Sequence, residues 1–450
     1  MKKRFLLIGY NFSPEPTGIG KYSGEMISWL VSQGYDCTVI TSYPYYPYWK
    51  VQKPYHKKRF WFSVEESEDQ QSGGKLRVVR CPQFVPSKPS GFKRILLDLS
   101  FSFSTCFPVL QLLFEKRFDY VMAIAPSFQV GLFGVLFKKF RNSKFLYHIQ
   151  DLQIEAAQDL KMIRSRSVID LLFRIERFIL KRSDVVSSIS PSMVARVRRK
   201  INKDVVLFPN WTDVKSFYPI IDKSEIKKKY SYKETDKIIL YSGAIGEKQG
   251  LDTIIRIADE LRDYKNVKFI ICGSGPYKKD LQAMADSRQL DNLNFMALQP
   301  FEEFNNFLNL ADVHLVIQKA GAIDLVMPSK LTTILPVGGL AIITANEGSG
   351  LYSLVKEHNI GVLADTENSA SLKEAILSVI NTDCSHITSN ARKYAVEYLS
   401  TDKILGAYEE AIREGSVVFG RAPKFSRSVP PKVARLGHNL PGVPNSKAGL

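Results

Sequence analysis

Cysteine is scarce and unpaired in this sequence. Five cysteines are scattered over 450 residues, without the close pairs of a metal site. An odd, dispersed set excludes a disulfide framework and a structural zinc site, and it favours a reducing compartment. No Asp-x-Asp stretch occurs either, so the paired carboxylates that hold a divalent ion against a diphosphate are missing. We therefore predict no metal site.

The chain also has no long apolar leader. Its start, "MKKRFLLIGY", joins a basic tip to an apolar stretch that runs directly into a glycine loop. That stretch is too short for the apolar core of a signal peptide. We interpret it as the first strand and predict a cytoplasmic protein.

Acidic residues are absent from residues 416–450. This tail contains six basic residues, many prolines and glycines, and no periodicity, so we expect it to be poorly ordered. It accounts for six of the formal net charge of +17. The remaining charge lies in small clusters without a nucleic-acid-binding motif. This distribution favours a phosphate-bearing substrate or an anionic membrane surface over nucleic acid.

Short apolar runs rich in Val, Ile and Phe recur between amphipathic stretches along most of the chain. This alternation predicts parallel strands joined by crossover helices. The runs form two series, in residues 1–209 and 231–401, separated by an aperiodic linker at 210–230. A helix at about 402–414 is expected to pack back on the first domain. The predicted fold is α/β, with two doubly wound Rossmann-like domains and a ligand cleft between them.

The glycine loop at 11–26, "NFSPEPTGIGKYSGEM", matches neither of two familiar phosphate loops. A P-loop ending at Gly20 and Lys21 needs glycine at Glu15 and a hydroxyl-bearing magnesium ligand at Tyr22. A dinucleotide fingerprint needs a carboxylate after the next strand, which ends "TVITSY". The start of the following helix favours an anion, and a tight turn without a ligand remains the alternative.

Two lysines in the second domain are placed to bind a diphosphate. Lys248 lies in a polar turn after a strand, and Lys330 lies at the first turn of a helix after Pro328. Two cations near free helix amides stabilise the charge of a departing nucleoside diphosphate. For either lysine alone, a solvated surface charge is the alternative.

Two further stretches follow predicted strands. "CGSGP" provides Gly273, Ser274 and Gly275, which allow close backbone approach to a flat ligand, although an ordinary turn would look the same. His148 ends a predicted strand and is followed by Asp151. A lone histidine in this position is more often structural than functional.

With these stretches in order, the chain from Lys3 to about Gly415 resembles the retaining glycosyltransferases of family 4, which have the GT-B fold. It is most similar to the WcaI and WbuB-like group of bacterial polysaccharide enzymes. The resemblance rests on six stretches taken together: "PEPTGIGKYSGEM", "PYYPYW", "HIQDL", "YSGAIGEKQGL", "CGSGP" and "DLVMPSKL".

The resemblance implies roles for particular residues. Those implied to be catalytic are His148, which contacts the donor sugar in the family, Lys248 and Lys330. Those implied to bind the donor are Gly243, Gly273, Ser274, Gly275, Asp324, Ser329, Leu331 and Thr333. On the acceptor side stand Gly18, Gly20, Lys21 and Asp151. The nucleotide-sugar is a substrate, so no cofactor is expected.

Two departures from the wider family concern the donor site. That family has an arginine where Ala244 stands and two glutamates seven residues apart, of which Asp324 replaces the first while Thr333 stands near the second. The implied reaction is metal-independent transfer with retention, from a nucleotide-sugar to a lipid-linked saccharide in exopolysaccharide, capsule or O-antigen synthesis. The donor implied by the WcaI and WbuB-like group is GDP-fucose, with UDP-linked sugars as the rival. Alternatives are a nucleotide-sugar 2-epimerase of the same fold and a binding regulator whose catalytic site has decayed.

One apolar segment predicts contact with a membrane. Residues 95–114 have the length of a bilayer span and contain one charged residue, Asp98. Asp98, several serines and Pro108 weaken insertion, and a span would separate the flanking strands. We predict a helix lying in the interface of the inner membrane's cytoplasmic face, with a buried helix pair as the alternative. The residues expected to face anionic headgroups are Lys88, Lys93, Arg94, Lys116 and Arg117.

Overall fold

A computed structural model describes residues 2–16, 18–159, 165–317 and 328–414, apart from the side chains of residues 156, 157, 159 and 248. Its strands form two sheets. The first contains β1 (Arg4–Ile8), β2 (Asp36–Ser42), β3 (Ser63–Glu68), β4 (Lys75–Cys81), β5 (Tyr120–Ala125), β6 (Lys144–Ile149), β7 (Val185–Ser188) and β8 (Val206–Leu207). The second contains β9 (Lys237–Ser242), β10 (Val267–Cys272), β11 (Leu293–Met296), β12 (Val313–Val316), β13 (Ala341–Thr344) and β14 (Val362–Ala364).

Helices connect these strands in the described part of the chain. Those before the second sheet are α1 (Gly18–Ser32), α2 (Gly91–Leu113), α3 (Gly131–Arg141), α4 (Gln153–Asp159), α5 (Arg166–Arg182), α6 (Pro191–Lys200) and α7 (Ser224–Lys229). Those that follow are α8 (Asp252–Glu260), α9 (Lys278–Ser287), α10 (Phe301–Leu310), α11 (Leu331–Ile334), α12 (Gly350–His358), α13 (Ser369–Ile380), α14 (Ser385–Tyr394) and α15 (Thr401–Glu414).

Both sheets are doubly wound. The strand order is β3-β4-β2-β1-β5-β6-β7-β8 in the first and β11-β10-β9-β12-β13-β14 in the second. The chain reverses its direction of travel across each sheet at β1 and at β9, and ligands of such sheets bind beyond the carboxyl ends of strands at this point. The predicted pair of doubly wound, Rossmann-like sheets is confirmed.

Strand β3 is not parallel to its neighbour. β3 pairs antiparallel with β4 at the sheet edge, and its sequence, SVEESE, is mostly exposed. It has no apolar run because neither face enters the core, so the search for buried parallel strands missed it.

The apolar segment forms one continuous helix, α2, rather than a helix pair, and Pro108 lies inside it. Its inner face packs into the core of the first domain through Leu97, Phe101, Val109 and Leu112. By length and composition α2 could cross a membrane, but its inner side chains are committed to the protein core.

The last described helix, α15, packs on the first sheet. The Tyr408 ring stacks on Phe208 with centroids 3.8 Å apart, and Ile404, Leu405 and Ile412 join the same core cluster. The chain therefore passes from the second sheet back to the first.

Candidate functional site

Glycines fit two loops of the second domain tightly together at the end of β9. The Gly243 N–H donates to the Cys272 carbonyl at 2.9 Å. A Cβ on Gly273 would lie 1.9 Å from the Gly243 carbonyl oxygen, and one on Gly275 would lie 2.0 Å from the Ile245 oxygen. These glycines are required by loop-to-loop packing, whereas the sequence suggested close approach to a ligand. The Ser274 side chain is exposed beside them.

Lys330 extends over the same glycine loop. Its Nζ lies 4.6 Å from the centre of the Tyr241 ring, and a Cβ on Gly243 would lie 2.6 Å from its Cε. Gly243 thus leaves the space that this lysine occupies. Burial lowers the pKa of Lys330 to about 8, and no carboxylate of the described residues opposes that shift. Within the described ranges, the arrangement is a desolvated cation without an anion.

The residues around Lys330 divide between core and surface. The Leu331 side chain is buried in the core, and the Leu331 N–H donates to the Pro328 carbonyl. Neither the side chain nor the N–H is therefore available to a nucleotide-sugar. The Thr333 hydroxyl donates to the Lys330 carbonyl at 3.0 Å, and Ser329 is exposed. Since α11 has only four residues, it supplies a much weaker dipole than the sequence suggested.

Two predicted donor-site groups lie outside the described atoms. Lys248 belongs to a short 3₁₀ helix, Glu247–Gln249, but its side chain is not described. Asp324 lies in the range 318–327, outside the described residues. Their roles stay predictions.

In the first domain, the glycine loop encloses a carboxylate of its own. The Glu15 side chain is 2% exposed. Its oxygens accept hydrogen bonds from Asn11 Nδ2 at 2.7 Å and from the N–H groups of Tyr45 and Tyr46 at 3.0 and 2.9 Å. A Cβ on Gly20 would lie 2.5 Å from Glu15 Oε2. Gly20 therefore makes room for Glu15, which ties the loop after β1 to the loop after β2.

Glu15 was missed by the sequence analysis, which treated the position only as a failed P-loop glycine. Burial raises its pKa to about 7, although the three hydrogen bonds and Arg80 oppose that rise. A carboxylate among prolines and glycines in a strand-to-helix loop was the only available signal.

The other predicted acceptor-side residues, Gly18, Lys21 and Asp151, lie in three different environments. Gly18 has a left-handed φ of 62° at the start of α1, which explains glycine there. Lys21 Nζ lies 3.7 Å from Glu25 Oε1, so a carboxylate already accompanies this cation. Lys21 and Glu25 line a cavity of about 490 Å³ between α1 and the segments Asp213–Phe217 and Ser400–Asp402. Asp151 follows β6 and is exposed as a whole residue, but the protein around its carboxyl group desolvates that group and raises its pKa.

His148 is held within the first domain. It is 3% exposed, its Nδ1 lies 2.9 Å from Ser187 Oγ, and its ring lies 5.0 Å from that of Phe208. Burial lowers its pKa to about 3, so the imidazole is neutral at physiological pH and is no general acid in imidazolium form. Contact with the donor sugar stays a prediction.

Comparison with known proteins decides the family. Residues 17–211 match the "glycosyl transferase 4-like domain" and residues 222–396 match "glycosyl transferases group 1". The putative colanic acid biosynthesis glycosyltransferase WcaI of Escherichia coli is 37% identical over 420 residues, covering 91% of this chain and 100% of the relative. The chain belongs to the WcaI-like glycosyltransferases of family 4.

Solved structures agree on the fold of this glycosyltransferase. The sucrose-phosphate synthase of Thermosynechococcus elongatus has a TM-score of 0.65 at 15% identity, with 92% of this chain and 99% of that chain covered. HepE of Anabaena in complex with UDP-glucose has a TM-score of 0.61 at 12% identity, with 91% and 99% covered. At these identities the likeness concerns the GT-B fold alone.

Proposed function

We propose that this glycosyltransferase moves a sugar from a nucleoside diphosphate to a lipid-linked saccharide, with retention and without a metal ion, in bacterial polysaccharide synthesis. The observation that carries the proposal is Lys330, a desolvated cation at the carboxyl edge of the second sheet with no opposing charge among the residues that the structure describes. A diphosphate supplies the missing negative charge. As the bond to the sugar breaks, charge grows on that diphosphate and its attraction to Lys330 strengthens.

In this proposal the protein's contribution is position and charge. The departing phosphate takes the proton of the acceptor hydroxyl on the face of the sugar from which it leaves, so the anomeric configuration is kept. No enzyme nucleophile is needed. Lys330 and Lys248 hold the diphosphate, and the loop fixed by Glu15 forms the acceptor side of the cleft.

GDP is the nucleotide we propose for the donor, carrying fucose. We expect GDP to raise the melting temperature of the protein more than UDP at equal concentration, because a ligand that binds only the folded state stabilises it more the tighter it binds. A thermal-shift screen of nucleoside diphosphates makes this comparison. A larger shift with UDP, the nucleotide in the HepE complex, would overturn the choice of GDP.

We further propose that α2 holds the enzyme on the cytoplasmic face of the inner membrane. An exposed apolar stripe with a helical spacing of three or four residues supports this: Phe92, Leu96, Leu99, Phe103, Phe107, Leu110 and Phe114. The exposed aromatic residues Phe60, Trp61 and Phe62 extend it, since the rings of Phe62 and Phe107 lie 6.0 Å apart. Such a face, flanked by lysines and arginines, suits the boundary between headgroups and acyl chains.

A double variant tests this surface. Phe103 and Phe107 are 74% and 64% exposed, so replacing both by serine should change the stability by only about 0.5 kcal/mol per site. We expect the wild-type protein, but not this variant, to sediment with vesicles containing anionic phosphatidylglycerol at low salt.

The matched control is Ile221→Ser, which removes a 99% exposed side chain near α7 and should leave sedimentation intact. High salt or alkaline carbonate should release the wild-type protein. Equal sedimentation of the double variant and the wild type would argue against the stripe, and release by detergent alone would mean a spanning helix.

A further inference from the structure

Arg80, the penultimate residue of β4, is buried at the carboxyl edge of the first sheet. It is 2% exposed, and arginine is almost never buried to this extent without a partner. The partner is Glu65 on β3: Arg80 Nε donates to Glu65 Oε1 at 2.6 Å, and Arg80 Nη2 donates to Glu65 Oε2 at 3.0 Å. These two parallel bonds fix the plane of the guanidinium group. The edge strand β3 therefore supplies the charge that accompanies a buried cation.

Other N–H groups of the same guanidinium reach two loops at this edge of the sheet. Nη1 donates to the carbonyl of Ser42, which ends β2, at 3.2 Å, and Nη2 donates to the carbonyl of Ser13 in the glycine loop at 3.0 Å. The guanidinium carbon also lies 4.6 Å from the centre of the Tyr55 ring, farther along the loop after β2. Arg80 thus contacts the glycine loop and the chain on both sides of the "PYYPYW" stretch.

The same two loops are joined a second time by Glu15. Its carboxylate accepts hydrogen bonds from the N–H groups of Tyr45 and Tyr46. A Cβ on Gly24 would lie 2.7 Å from Ser13 Cβ, so the glycine loop also packs directly against α1. Ligands of a doubly wound sheet bind at this edge. Two buried groups of opposite charge therefore set the geometry of the loops that are expected to meet the acceptor.

We propose that Arg80 is a positioning residue for the transfer reaction: it fixes the glycine loop and the loop after β2 in the arrangement that the acceptor requires, without contacting a substrate. Lysine cannot take this role, because an ammonium group lacks the planar fork that pairs with a carboxylate and reaches two separate carbonyls at once. A misplacement of about 1 Å is enough to slow a reaction by about a hundredfold. The inference rests on the proposed acceptor side of the cleft.

The test measures acceptor and donor kinetics separately in Arg80→Lys. It uses short-chain polyprenyl-diphosphate mono- and disaccharides, which need no membrane, and the donor chosen by the thermal-shift screen. We expect the KM for the acceptor to rise by about tenfold or more, because the loops that meet it lose a shared anchor. The KM for the donor and the affinity for the nucleoside diphosphate should change little. A purely structural loss of folded protein would instead lower the turnover number and leave both KM values unchanged.

Arg77→Lys is the matched control, because Arg77 is an ion-paired arginine on the same strand. It lies 3.0 Å from Glu115 and 3.7 Å from Glu66. Within the described part of the chain, its side chain makes hydrogen bonds to Glu115 and to neither of the two loops. The acceptor KM should therefore be unchanged in this variant.

Glu65→Gln is a second variant that serves if Arg80→Lys does not fold. The Glu65 side chain is 40% exposed, and the change removes only the charge that orients the guanidinium group, so we expect a smaller rise in the acceptor KM. An unchanged acceptor KM in the folded variants, an equal rise in the donor KM, or the same rise in Arg77→Lys would overturn the inference. Failure of the wild-type protein to use any of these acceptors would instead count against the proposed function.

Discussion

Replacing Lys330 by methionine is expected to lower the turnover number by about a hundredfold or more, the usual cost of losing a preorganised charge contact to a transition state. The same change should raise the melting temperature at pH 7. Lys330 is a desolvated cation without an ion-pair partner in the described part of the chain. Burying its charge lowers the free energy of unfolding, and the uncharged methionine side chain avoids this desolvation cost. Turnover under saturating substrates and thermal melting of the same preparation measure the two effects.

The pH dependence gives this prediction a second signature. Burial lowers the pKa of Lys330 to about 8, below its value in the unfolded chain. Between these two pKa values the unfolded state therefore binds more protons than the folded state. The cost of Lys330 to stability is therefore fully present below pH 8 and disappears as the pH rises toward the unfolded value. The stability advantage of the methionine variant should shrink accordingly. Wild-type affinity for the nucleoside diphosphate should fall as the pH rises through about 8, where Lys330 loses its charge.

Lys393→Met is the control, because Lys393 is an exposed lysine on α14. It should retain normal turnover. Lys248→Ala is expected to lose turnover to a similar extent as Lys330→Met. Near-normal turnover in both Lys330→Met and Lys248→Ala would remove the diphosphate clamp from the account.

Gly20→Val is expected to lower transfer by about a hundredfold or more, since small misplacements of positioning groups have effects of this size. A Cβ at this position would lie 2.5 Å from Glu15 Oε2, so the variant must displace a buried carboxylate from Asn11 and from the backbone of Tyr45 and Tyr46. Both loops at the acceptor side then lose their shared anchor. Nucleoside diphosphate affinity should fall only modestly, because we place the nucleotide on the second domain.

Gly350→Val is the matched control for this change. Nothing lies within 4 Å of a Cβ built on Gly350, so the same side chain is accommodated there. Glu15→Gln keeps the oxygen that accepts from Tyr45 and Tyr46 and should retain much more activity than Gly20→Val. Full transfer by Gly20→Val would show that the loop tolerates the change, and complete loss of nucleotide binding would show that the loop serves the nucleotide instead.

The parallel strands could be predicted from the sequence because both of their faces are buried. Runs such as "FLLI" and "KIILY" are typical of strands in a parallel sheet whose two faces are both covered by helices. β3 could not be predicted in this way, since SVEESE is stabilised by pairing along one edge of β4 and not by burial. For α2 the apolar composition indicated a helix but not its division into faces, which depends on where the sheet lies beneath Leu97 and Phe101.

The donor-side glycines and Lys330 could be located from their spacing, but their contacts could not. Gly273 must lack a side chain because of the Gly243 carbonyl, thirty residues earlier in the chain. Glu15 escaped notice as a site residue for a related reason. It matters because distant segments enclose its carboxylate, and a single sequence without the fold does not record which segments those are.

The central claim is tested most directly by following the label of a radioactive nucleotide-sugar, in the presence of a chelator, when the enzyme is incubated with a polyprenyl-diphosphate saccharide. The account predicts that label enters the organic-soluble lipid fraction without added metal, and that NMR of the product finds the anomeric configuration of the donor. Activity that is abolished by the chelator and restored only by a divalent ion would contradict metal independence. Release of an epimerised sugar from the donor alone, unaffected by the acceptor, would contradict the transfer itself.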